Sequence, residues 1–166
     1  MVDLTYRPPC ADDFDGIHET ASHWSVVRQL GSWPWPPDPD FTRKRCQPYE
    51  GEGFVLSIFA DGTYAGGIAV TTGELGYSLS PKFHRMGIGT RAVRYALTRA
   101  FDAYDWPELK ASCWHDNVAS NRLLTKSGFQ HWQSHYEHSV ARRVPTLVYQ
   151  FRLPRARWDS LSNSAQ

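Results

Sequence analysis

The chain has 166 residues, 41% of them hydrophobic and 21% charged, and 18 Lys and Arg nearly balance 17 Asp and Glu for a formal net charge of +1. That length fits one domain with a real core, and the charge balance lacks the basic excess of a dedicated nucleic-acid or anionic-membrane binder. No apolar run reaches membrane-span length and the opening residues lack a signal peptide's basic and apolar regions, so a cytoplasmic protein without membrane contact is expected. Three scattered cysteines, Cys10, Cys46 and Cys113, fit reduced thiols in that compartment.

In chain order, residues 4–6 form a short strand candidate stopped by Pro8 and Pro9. Asp12 or Asp13 can cap a helix to about Ser22, and a second helical piece over 24–30 ends at Gly31. The run Trp33-Pro34-Trp35-Pro36-Pro37 cannot be helix interior, because proline fixes φ and removes a donor. It is expected as an ordered loop, a rigid pocket wall or simple packing, in a chain with 14% aromatic residues and seven Trp. A short helix over 40–49 follows.

Residues 53–60 then form a strand, Asp61-Gly62 is a two-residue hairpin turn, and 63–71 returns as the partner. Leu75, Tyr77 and Leu79 alternate with small residues, marking a third strand closed by Pro81. From Ile88 the apolar residues Ala92, Val93, Ala96, Leu97, Ala100, Phe101 and Tyr104 recur at helical spacing, which predicts four to five turns. Residues 109–114 are strand-like, Asn117 caps a helix stopped by Gly128, and 130–140 and 146–153 close the fold as strands. The expectation is one α/β domain over 1–154, with a mixed, mainly antiparallel twisted sheet of six to seven strands flanked by helices, and a polar, frayed C-terminal tail over 155–166 on which Trp158 could still dock.

Between the third strand and the long helix lies His84-Arg85-Met86-Gly87-Ile88-Gly89-Thr90. Glycines here keep Cβ atoms away from an approaching anion, and the first helical turn offers N–H groups with no internal partner. Together with the helix dipole these donors make a phosphate cradle, with Arg85, Arg91 and Lys82 as positive charges for its rim. The same residues formally satisfy a G-x-G-x-x-G/A dinucleotide fingerprint through Ala92, or they simply permit a tight turn. The alternating strand before them weighs against the dinucleotide reading, which expects a strand buried on both faces.

The stretch from Glu74 to Phe129 resembles the GNAT superfamily of acetyltransferases, and in particular the branch that includes the ribosomal-protein N-terminal acetyltransferases. One motif is Glu74-Leu75-Gly76-Tyr77 through Pro81 and on to Arg85-Met86-Gly87-Ile88-Gly89-Thr90. The other is Asn117-Val118-Ala119-Ser120 with Leu123, Lys126, Gly128 and Phe129. More weakly, residues 30–36 look like that branch's acceptor-side loop. His84 departs from the family's usual Gln or Arg, and Leu124 stands where many relatives carry a Tyr that protonates the leaving thiolate.

The resemblance implies a GNAT-like fold, acetyl-CoA as cosubstrate, and direct acetyl transfer to a primary amine, either a protein N-terminus or a small molecule. It implies that backbone at Tyr77, Ser78 and Leu79 pairs with the pantetheine arm as an added strand. Arg85, Met86, Gly87, Ile88, Gly89 and Thr90 would hold the pyrophosphate, with Asn117 and Lys126 completing the coenzyme site. Ser120 is the candidate thiolate donor. Glu74, Glu137 and His115 are candidate bases for the ammonium proton, unless water takes it. A sensor that binds acyl-CoA without turnover is the main alternative, supported by the missing Tyr; an NAD-type dinucleotide-binding oxidoreductase, supported only by the formal glycine match, is the lesser one, and a homodimer is left open by the aromatics. No metal is expected: in an uninterrupted strand His131 and His135 face one side and His138 the other, so they converge with Cys113 and His115 only across a bulge. Cys113 as an acyl-accepting nucleophile would need a depressed pKa.

Overall fold

Alternating apolar residues build the first half of the sheet. In the computed structural model, which describes residues 2–163, β1 (Leu4–Arg7) is followed by α1 (Phe14–Ala21), α2 (Trp24–Val27) and α3 (Pro39–Arg45). The strands β2 (Gly53–Ala60), β3 (Thr63–Thr71) and β4 (Glu74–Leu79) then run as a meander. The β2–β3 hairpin closes at Asp61 and Gly62, both with positive φ (48° and 78°), the handedness that matches strand twist. Next come α4 (Ile88–Ala103), β5 (Glu108–Trp114), α5 (Val118–Lys126), β6 (Gln130–Ser139), β7 (Val144–Pro154) and α6 (Arg155–Asn163).

The seven strands form one sheet in the order β1-β2-β3-β4-β5-β7-β6. Every pairing is antiparallel except β4 with β5, which is parallel and spans only Glu74 opposite Lys110 and Leu75 opposite Ala111. A dinucleotide-binding sheet needs continuous parallel strands around its glycine turn, so the formal fingerprint is a local coincidence.

Of the apolar residues predicted for the long helix, Ile88, Ala92, Val93, Ala96, Leu97, Ala100 and Phe101 are buried and meet Leu56, Ile58, Ile68, Val70, Leu109 and Phe151 of the sheet. Tyr104 falls just past the helix as its extended C-cap and is only partly buried. Each Leu or Val so buried contributes roughly 1.5–3 kcal/mol, which fixes α4, and its N-terminus, against the sheet. Of the polar tail expected to fray over 155–166, Arg155–Asn163 is instead a helix, and residues 164–166 lie outside the described residues. Arg155 donates to the carbonyls of Phe101, Tyr104 and Trp106, and Trp158 stacks on Phe101 at 5.7 Å. Two side-chain anchors order a segment whose polarity hides them. No helix among the described residues is long and apolar enough to cross a membrane.

Candidate active site

The short β4–β5 pairing leaves a gap in the middle of the sheet. Past Leu75 the two strands part: β5 continues along β7 to Trp114 and β4 stays bonded to β3. Backbone hydrogen bonds at the two ends of β4 set which of its groups face the gap. Ser80 N–H bonds to the Ala65 carbonyl on the β3 side, and Lys110 N–H bonds to the Gly73 carbonyl on the β5 side. Alternation then points Gly76 and Ser78 at β3, and Tyr77 and Leu79 into the gap. Of the three backbone positions expected to face a ligand, Ser78 is therefore committed to the ladder. The Leu79 carbonyl accepts from His84 Nε2 at 3.0 Å, so His84 fastens the strand to the glycine turn.

The gap opens into a cleft of about 680 Å³ that also includes Gly87, Ile88, Gly89 and Thr90. The first bond inside α4 runs from Arg91 N–H to the Gly87 carbonyl, so the N–H groups of residues 87–90 are free of helical partners. Gly87 has φ +76°, and a Cβ built on it meets nothing within 4 Å, so any side chain there would project into open space. Gly89 is tighter, with Leu123 Cδ2 at 3.3 Å from a built Cβ.

The rim charges differ from those expected. Arg85 and Lys126 line the cleft, joined by Arg122, while Lys82 pairs with Glu19 at 2.8 Å and Arg91 donates to the Val2 carbonyl at 2.6 Å. Met86 is half exposed and outside the lining. Asn117 lines it, but its Oδ1 accepts from Ser120 N–H at 3.1 Å as the cap of α5, leaving its NH2 for the cleft.

Deeper in the cleft, Ser120 Oγ lies 2.8 Å from the Tyr77 hydroxyl. Burial pushes the Tyr77 phenol up to about 12, against a smaller lowering by Ser120, so it stays protonated throughout the physiological range. Burial also raises the Cys113 thiol, to about 11. A thiol held there is protonated at neutral pH and does not meet the requirement for a covalent acyl carrier. Leu124 is completely buried in the core and is not part of the cleft lining.

The three candidate bases stand elsewhere. Glu74 sits at the still-paired end of β4, exposed and outside the lining. Glu137 accepts from His135 at 2.6 Å on the exposed strand β6, and His115 is an exposed residue whose N–H bonds to Leu147. Strand β6 does carry a bulge at 131–133, the irregularity a histidine cluster would need, yet His131 bonds to Ser134 and no metal-ligating group of three occurs among the described residues. Trp33 packs on Phe41 and Trp35 on Trp24, and none of the four is in the cleft lining.

A charged network that sequence patterns do not reveal braces the other wall. Arg142, from the β6–β7 turn, grips Asp116 with two bonds (2.8 and 3.0 Å), bonds the Arg28 carbonyl at 2.9 Å and reaches Gln29 Oε1 at 3.0 Å. Arg28 also holds Asp116. The Arg142 hydrogen bonds, more than any other influence, hold the Asp116 carboxyl at about 2, outweighing the cost of burial. A carboxyl depressed below its unfolded value near 3.9 contributes stability at neutral pH that is lost as pH falls towards 2. Asp116→Asn is therefore expected to lower Tm at pH 7 and to converge with the parent protein between about pH 4 and pH 2, measured as melting temperature against pH.

Residues 3–130 match the model of the acetyltransferase (GNAT) domain, and the chain belongs to that family. Over 57 residues it is 37% identical to the uncharacterized N-acetyltransferase YoaA of Bacillus subtilis, a match spanning 34% of this chain and about a third (32%) of that protein's length. Among solved structures it resembles spermidine N-acetyltransferase from Vibrio cholerae, in complex with CoA and spermine (13% identity, 93% of this chain and 97% of that one, TM-score 0.79). It also resembles the ribosomal-protein-S5-alanine acetyltransferase of Vibrio fischeri (14%, 95% and 98%, TM-score 0.76). At these identities the likeness is one of fold.

Proposed function

We propose that the protein transfers the acetyl group of acetyl-CoA directly to a primary amine, on a protein N-terminus or a small molecule. The observation that carries this reading is one continuous cleft in which an open strand edge runs into four free N–H groups at the start of α4. A pantetheine arm has two amides that suit the edge at Tyr77 and Leu79, and its pyrophosphate suits the helix N-terminus with Arg85, Arg122 and Lys126 beside it. The Asn117 NH2 is a further donor to the arm.

The amine forms the C–N bond as the C–S bond breaks, and the proton lost from nitrogen ends on sulfur, directly or through water. The Tyr77 N–H, further along β4 from the phosphate cradle than Leu79, donates to the thioester oxygen as charge builds there. The Tyr77 and Ser120 hydroxyls are hydrogen-bonded; in this mechanism Tyr77 is the donor, which frees the Ser120 hydrogen to stabilise the departing thiolate. That pair supplies the donor that Leu124 lacks and so removes the main support for a non-catalytic sensor.

We place the protein in the cytoplasm on its three free thiols, with no membrane and no direct nucleic-acid partner. The exposed Trp132 and Tyr136 on the outer strand support a homodimer. Thermal shift tests the coenzyme assignment: acetyl-CoA and CoA at about 100 times Kd should each stabilise the fold by about 2.7 kcal/mol while NAD leaves Tm unchanged. Stabilisation by NAD alone would contradict it.

A further inference from the structure

The open edge of β4 is not uniformly open. Of the backbone groups that face the gap, the N–H and C=O of Tyr77 and the N–H of Leu79 pair with neither neighbouring strand. The Leu79 carbonyl is already taken, by His84 Nε2 at 3.0 Å. A carbonyl can only accept, so Nε2 carries the hydrogen and the imidazole is the donor. An arm with two amides laid along this edge needs an acceptor for each N–H. The edge has two carbonyls, and His84 holds one of them.

The same imidazole belongs to the other half of the cleft. The turn Pro81–Phe83 carries the chain from Leu79 to His84, just ahead of Gly87, and His84 lines the cleft together with Gly87, Gly89 and Thr90. The backbone of this turn is tied down, with Phe83 N–H on the Ser80 carbonyl at 2.9 Å and His84 N–H on the Pro81 carbonyl at 3.2 Å. The His84 side chain is exposed, so leaving Leu79 requires only rotation about side-chain bonds. A phosphate oxygen is the better acceptor for it, because a hydrogen bond to an ion is roughly twice as strong as one between neutral groups.

Resting on the coenzyme assignment above, we propose that His84 is a specificity-determining residue that couples the two halves of the cleft. It closes the Leu79 carbonyl in the free protein and passes its Nε2 hydrogen to a coenzyme phosphate, which opens that carbonyl to the arm. A pantetheine arm that brings phosphate compensates for the broken bond. One without phosphate must break it for nothing, so His84 selects CoA thioesters over pantetheine thioesters beyond what the glycine turn alone achieves.

The experiment is calorimetric titration of CoA and of pantetheine into the parent protein, His84→Ala and His84→Gln. Removing the competitor for Leu79 should tighten pantetheine by about three- to tenfold in His84→Ala. The same variant loses the phosphate contact and should bind CoA about threefold more weakly, so that the preference for CoA narrows by about tenfold or more. His84→Gln keeps a neutral side-chain N–H donor that can serve either acceptor, and should restore the parent's preference. Pantetheine bound no tighter in His84→Ala than in the parent would mean that the carbonyl serves both donors. Equal weakening of both ligands would reduce His84 to a structural tie. Either result overturns the proposal and leaves the coenzyme assignment standing. A parent protein that does not bind CoA overturns the assignment and the proposal together.

Discussion

Gly87→Asp is expected to abolish coenzyme binding while leaving the fold intact. The Cβ at this position meets no protein atom within 4 Å, so the new side chain costs no packing. It projects where the cleft is open, beside the free N–H groups of residues 88–90. There a carboxylate satisfies the helix N-terminus itself and repels the phosphates that would otherwise do so. Two like charges about 4 Å apart at an effective dielectric near 20 repel by about 4 kcal/mol, or nearly three factors of ten in affinity. The cost in stability is small, because left-handed φ strains an Asp by roughly 1–2 kcal/mol and the helix dipole returns about 0.3–1 kcal/mol. Calorimetric titration with CoA should thus show a loss of a hundredfold or more with Tm nearly unchanged. Undiminished affinity would make the glycine turn purely structural.

Ser120→Ala should lower kcat by roughly 10²–10³ with little change in KM for acetyl-CoA, because the hydroxyl is needed only as charge reaches sulfur. Tyr77→Phe keeps the ring in its buried site and removes only the hydroxyl bonded to Ser120. In the proposed mechanism Tyr77 acts through Ser120, so its loss should cost about tenfold, and the double variant should be no slower than Ser120→Ala. Multiplicative losses would show the two hydroxyls acting separately. Glu74→Gln and Glu137→Gln should stay within about twofold, since the first sits where the strands are still paired and the second faces His135 on the outer strand. A hundredfold loss in either would restore it as the general base.

Much of the fold was legible because the signals are local. Alternation at Leu75, Tyr77 and Leu79, the Asp61-Gly62 turn and the helical spacing from Ile88 each depend on neighbours within a turn or a strand. The glycine turn ahead of α4 was legible for the same reason, since glycine spacing before a helix is a local pattern. What escaped depends on distant parts of the chain. Tyr77 and Ser120 are 43 residues apart, and Arg142 meets Gln29 across 113 residues, so neither pairing leaves a periodic trace. The same holds for the last helix, where Arg155 reaches the carbonyl of Phe101 across 54 positions. Glu74 and Glu137 were attractive by residue type and motif position, but the place where β4 and β5 separate decides which side chains see the cleft. Where that pairing stops depends on how strands distant in sequence are arranged, which no local pattern encodes.

Incubation of the protein with acetyl-CoA and an alanyl dipeptide amide, following free thiol and acceptor mass together, tests the central claim most directly. Transfer from the open β4 edge to an amine predicts one thiol released for each N-acetylated acceptor, with the rate falling at least a hundredfold in Ser120→Ala. Bound acetyl-CoA with no acetylated acceptor, or thiol release without one, would contradict it.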